Sequence, residues 1–174
     1  MSSVYISRTN QKLHFCQLHL DRLKSALDGS NWSKHVLIES YNESILFHLA
    51  CAHRSFMREI AEVYRIDAST IVSIEQLANA LAKQGLEAPE VKELTRLEED
   101  DSWLAKMLKA YHACWQAEER DQAENSQHSS LSEIHVVQVN PDHADENEVI
   151  AQLEQWLNAF RELISRHRES MVEW

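Results

Sequence analysis

Apolar side chains recur every three or four positions along most of this chain, the spacing that gathers residues on one face of an α-helix. Leu13, Cys16, Leu20, Leu23 and Leu27 alternate steps of three and four, and Phe15 and Leu18 widen the stripe. This predicts a first helix over 7–28, stopped at Asp28-Gly29-Ser30-Asn31. A second, long helix is predicted over 33–65, with Ile38, Tyr41, Ile45, Leu49, Ala52, Phe56, Ile60 and Val63 as its seam. Between Ile45 and Ala52 it is apolar nearly all round, which places it at the centre with neighbours on several sides.

Shorter periodic runs follow. Ser73 with Gln76 three residues on is a capping-box pattern, Ile74, Leu77, Ala78 and Leu81 form the apolar face behind it, and Gly85 marks the end. Pro89 suits the first turn of the next helix, which carries Val91, Leu94 and Leu97. Glu98-Glu99-Asp100-Asp101 breaks it, and Asp101 or Ser102 caps a restart running to about 119 with Leu104, Met107, Leu108, Tyr111 and Trp115 on its face. A last helix over 145–170 repeats Ile150, Leu153, Leu157, Phe160, Ile164, His167 and Met171.

Two segments lose this period. Residues 117–132 are polar and read as a mobile loop. Residues 133–139 read as a short strand ended by Asn140-Pro141-Asp142. A lone strand leaves both edges unpaired, so Ile134, Val136, Val137 and Val139 either lie across the helices, pair with Val4-Tyr5-Ile6, or meet a second chain. The expected architecture is all-α: one domain over 1–174, an antiparallel up-and-down helical bundle of four long helices, the third interrupted, with one short helix and one short extended segment.

Composition sharpens this picture. Two glycines and two prolines in 174 residues cannot supply the turns of a β-sandwich or a doubly wound sheet. Cys16, Cys51 and Cys114 form no C-x-x-C pair, so neither a disulfide framework nor a zinc cage is expected, and each reads as a small buried hydrophobe. There is no secretory leader pattern and no run of about 18 apolar residues, which makes the cytoplasm the expected location and a membrane an unexpected partner.

The net charge of −11 is uneven: residues 1–86 hold nine Lys/Arg against eight Asp/Glu, and residues 87–174 hold eight against twenty. An acidic half repels a phosphate backbone, so no nucleic-acid partner is expected and a protein partner or homodimer fits better.

The chemistry-bearing residues do not assemble into a known pattern. No Glu precedes a His at the Glu-x-x-His spacing of a di-metal bundle, and no H-E-x-x-H occurs. His14/His19 and His48/His53 stand five apart, about 140° round a helix, so neither pair grips one ion. No metal, cofactor or catalytic residue is assigned. The helix count resembles that of RNA-cleaving HEPN bundles, which use Arg-x(4–6)-His; Arg8–His14 and Arg161–His167 match that spacing, but ten Arg and ten His give roughly two such matches by chance. Two glycines build no phosphate or oxyanion loop.

The polar residues Arg8, Asn10, His14, Tyr41, Glu43 and His48 read either as a buried network that fixes helix register or as a small ligand pocket between the first two helices. Trp174 reads as an end-closing side chain or an exposed aromatic contact.

Arg8-Thr9-Asn10-Gln11-Lys12-Leu13, Leu46-Phe47-His48-Leu49, Tyr64-Arg65, Trp103-Leu104 and Glu173-Trp174, in that order, resemble a family of short proteobacterial proteins of unknown function. The resemblance implies a bacterial, stand-alone helical protein and carries no activity, ligand or catalytic residue. The functional expectation is a non-catalytic protein–protein interaction module, with a HEPN-like nucleic-acid enzyme as the alternative and a small-ligand pocket as a weaker one.

Overall fold

The three longest periodic runs become the three longest helices of the computed structural model: α1 (Val4–Leu27), α2 (Lys34–Val63) and α6 (Glu146–Val172). Between α2 and α6 come a 3₁₀ turn (Ala68–Thr70), α3 (Ile74–Lys83), α4 (Pro89–Glu99) and α5 (Trp103–Ala113). The structure describes residues 4–27, 34–116 and 146–172, and among these it is all-helical with no strand. The polar loop at 117–132, the strand at 133–139 with Ile134, Val136, Val137 and Val139, and Trp174 lie outside the described residues.

Local chemistry sets the ends of the short helices. Ser73 Oγ accepts from Gln76 N at 3.2 Å, and the Gln76 side chain reaches back to Val72 N at 2.9 Å, one residue earlier than in the usual capping box. Gly85 adopts φ +69°, and Leu86 N and Gly85 N close on Leu81 O and Ala82 O at 3.0 Å each, a Schellman ending. The break in the acidic run falls at 100–102, where Ser102 Oγ accepts from Leu104 N and Ala105 N and starts α5.

At the end of α2 the same Schellman ending is made without glycine. Ile66 N bonds Ala61 O at 2.8 Å, Arg65 N bonds Glu62 O at 3.1 Å, and Arg65 sits at φ +57°.

α1 runs antiparallel to both long partners. Tyr5, Phe15 and His19 meet Arg58, His48 and Tyr41 on α2. Asn10, Gln17 and Lys24 meet Arg168, Arg161 and Glu154 on α6. α1 and α2 share the most extensive interface of the molecule. Leu20, Leu23, Ile45, Leu49, Phe56, Ile60, Leu94, Leu104 and Phe160 lie in one buried core, with Phe56 and Phe160 edge to face at 6.3 Å.

Several positions depart from the periodic expectation. Phe47 is 48% exposed, so α2 is not covered all round; Leu18, Val63 and Trp115 also face outward. Period fixes which residues share a face, and a neighbouring helix is still needed to bury it. Cys16 is buried as expected, whereas Cys51 and Cys114 are only half-buried. Among the described residues α1, α2 and α6 are long, and the break expected at the acidic run divides the α4–α5 stretch into two helices of 11 residues each.

Candidate functional site

Two polar constellations stand out, one inside the molecule and one on its surface. The inner one lies where α4 meets α2 and α6. Glu59 of α2 is 2% exposed, and Arg168 of α6 grips it in a two-pronged bond, Nε to Oε2 at 3.0 Å and Nη2 to Oε1 at 2.8 Å. Arg168 Nη1 donates onward to Asn10 Oδ1 on α1 at 2.9 Å. Arg166 makes a second fork with Glu93 of α4, at 2.9 and 2.6 Å. Its hydrogen bond holds the Glu93 carboxyl below the ordinary carboxylate range.

Two buried histidines face the remaining acids of α4. His167 Nε2 lies 3.2 Å from Glu93 Oε2, with its ring stacked on Phe56. His53 Nε2 lies 3.1 Å from Glu98 Oε1 beside Phe160. Each pair is within ion-pair distance without closing a hydrogen bond. Burial lowers the His167 pKa despite the neighbouring Glu93 carboxylate. Glu90, buried at the start of α4, accepts from Tyr64 Oη at 2.9 Å; burial and this bond push the Tyr64 phenol up to about 12. Glu59, Glu90 and Glu93 are hydrogen-bonded across helices, while His53 Nε2, His167 Nε2 and Glu98 Oε1 are buried without a hydrogen bond.

The outer constellation is on α2. Val36, Glu39, Ser40, Glu43, Ser44, Phe47 and His48 line a depression of about 530 Å³ that is largely open to solvent. Their spacing of three, four, seven, eight, eleven and twelve from Val36 is one face of a helix. Glu39 is 6% exposed, and its bonding partner is Asn42 Nδ2 at a long 3.5 Å. Burial first, then Glu39, raises the pKa of Glu43. Burial first, then Glu43 and more weakly Glu39, raises the Cys114 thiol. His48 Nδ1 is buried with no hydrogen-bond partner, and burial, then Lys12 and His19, bring that imidazole down to about 4. Lys12 sits over the Phe15 and Phe47 rings, 5.7 and 5.3 Å from their centroids.

The six polar residues singled out by sequence do not converge. Arg8, Asn10, His14 and Glu43 are exposed, and Tyr41 and His48 are half-buried. Arg8 bonds Gln11 at 2.8 Å and lines a separate open depression with Tyr5 and Arg58. Asn10 turns to Arg168, Tyr41 packs on His19, and only Glu43 and His48 share the α2 depression. Arg161 donates to Gln17 on α1 while His167 faces α4, so the second Arg–His match points to different neighbours.

Sequence reasoning missed Glu59, Glu90, Glu93, Glu98, His53, Arg166 and Arg168. The recoverable signal was acids at 90, 93 and 98 interleaved with Val91, Leu94 and Leu97 on one face of the helix, opposite the exposed Lys92, Arg96 and Glu99. Among the described residues no group of three or more His, Cys, Asp or Glu is arranged to hold a metal ion, and no helix is long and apolar enough to cross a membrane.

The fold and its polar seam define an all-α protein in which several buried or half-buried ionisable groups bridge helices. The chain belongs to the family of unknown function DUF6586, whose model matches residues 1–174. No curated protein and no solved structure matches it.

Proposed function

We propose that the protein is a non-catalytic interaction module that presents the outer face of α2 to another protein. The observation that carries this reading is the exposure of Phe47 and Val36 on one carboxylate-bearing helix face, while Glu59 and Glu90 are buried and hydrogen-bonded inside the seam. Burying apolar surface against a partner gains free energy that an exposed Phe forgoes, and such side chains anchor interfaces. The scaffold behind that face is read as an up-and-down bundle in which α4 and α5, end to end, make the fourth rod.

The other readings draw less support. A depression this open cannot enclose most of a small ligand's surface, which binding pockets do. A HEPN-like nuclease using His167 would need that ring accessible to RNA, and it is stacked on Phe56 inside the seam.

The test is a photo-crosslinking side chain placed at position 47 of the full chain in its native cell, with position 92 on the exposed side of α4 as control. The expected result is a discrete protein adduct from position 47 and none from position 92. No adduct from 47, or the same adducts from both, would overturn the reading.

A further inference from the structure

The outer face of α2 also states the chemistry of its occupant. We infer that this face docks a basic amphipathic segment of another protein, an Arg or Lys lying against Glu39 and Glu43 and an apolar side chain against Val36 and Phe47. This rests on the reading of that face as a protein-binding surface and adds the class of partner.

Charge complementarity makes the assignment. Glu39 and Glu43 are four apart on one helix, and among the described residues neither carboxylate has a cation against it. Like charges at that spacing repel, so a guanidinium or ammonium set between them removes a repulsion as well as adding an attraction. Lys12 already occupies a face of Phe47, so that ring contributes apolar area.

The alternatives fit worse. A second copy docking through the same face would bring four carboxylates into one seam. An acidic partner, nucleic acid included, meets the same carboxylates and a chain of net charge −11. A basic amphipathic segment lying along α2 meets Val36, Ser40, Glu43 and Phe47 in succession, one row of that helix face.

The experiment titrates the full chain with a 14-residue Leu/Arg amphipathic peptide and its Leu/Glu counterpart, following amide NMR shifts and affinity. The Leu/Arg peptide is expected to shift amides between 36 and 48, and the Leu/Glu peptide is expected not to bind. Glu43→Gln should weaken binding about fivefold and Glu39→Gln with Glu43→Gln tenfold or more, while Glu75→Gln with Glu99→Gln, exposed carboxylates of α3 and α4, stays within about twofold. Equal weakening by the two double variants, shifts centred elsewhere, or binding of both peptides would overturn the inference. Should the Glu39 variant fail to fold, Glu43→Gln decides alone, since Glu43 is exposed. The two readings fail separately: a crosslinked partner from position 47 whose capture is unchanged by Glu43→Gln keeps the module and discards its basic partner, whereas absence of any adduct removes the module itself.

Discussion

The α1–α2 interface and the α4 seam solve the same packing problem with opposite chemistry. Along α1 and α2 the backbones are close, and the gap between them is filled by residues such as Leu20, Leu23, Ile45 and Leu49, with the Cys16 thiol 3.9 Å from Ile45 O. α4 buries Val91 and Leu94 in that same core, and is tied in addition through the ends of long side chains: Glu90 to Tyr64 just past α2, Glu93 to Arg166 and His167 of α6, Glu98 to His53 of α2. Apolar packing rewards close approach and is indifferent to direction, whereas a carboxylate facing a guanidinium rewards one geometry. The first interface supplies stability, and the second fixes where α4 sits.

That contrast can be broken most forcefully in the apolar core. Phe56→Ala removes a fully buried ring that touches Phe160 and His167, and an unfolding titration should show a loss of about 3–5 kcal/mol. A loss below about 1 kcal/mol would mean the core collapses around the gap and is not the main support. Next comes Arg168→Ala, which strands the buried Glu59 carboxylate and should cost about 3 kcal/mol, at the low end for a buried pair because Arg168 is partly exposed. Glu59→Leu with Arg168→Met should recover most of that, since two apolar chains leave no buried charge behind. Failure of the double variant to recover would show that the pair itself carries stability.

A smaller effect separates the regions by pH. Folded His48 stays deprotonated down to about pH 4, while in the unfolded chain it protonates near 6.5. Between those values the unfolded state binds the extra proton, so stability falls as pH drops through that window. The lowered pKa of His167 works in the same direction, and that of Glu93 adds loss below its unfolded value of 4.5. Melting curves of His48→Gln should therefore fall less steeply between pH 6.5 and 4 than those of the parent, without becoming flat. The smallest expected effect is a gain: Arg65→Gly relieves a left-handed backbone at the end of α2 and should raise stability by up to about 1 kcal/mol, part of it offset by the freer unfolded chain.

Which parts were legible follows from how far each interaction reaches. Helix positions came through because their signals are local: the 3–4 step of Leu13 to Leu27, the Ser73 cap, Gly85 and the Ser102 restart all lie within a few residues. The left-handed Arg65 did not, because the same turn is usually made by glycine and nothing in Tyr64-Arg65-Ile66 announces it. The clamp of Glu59 by Arg168 spans 109 residues of sequence and depends on how α6 is rotated, which periodicity leaves open. The outward direction of Phe47 was hidden for a related reason. An apolar stretch from Ile45 to Ala52 is compatible with burial on every side, and among the described residues no helix covers Phe47, which stays half-exposed.

The thermal melt of Phe47→Ser tests most directly whether the outer face of α2 is kept for contact and not for stability. Removing a half-exposed ring should lower Tm by no more than about 4 °C, the shift that 1 kcal/mol produces in a domain of this size. A drop beyond about 10 °C would place Phe47 among the residues that hold the fold together and contradict the account.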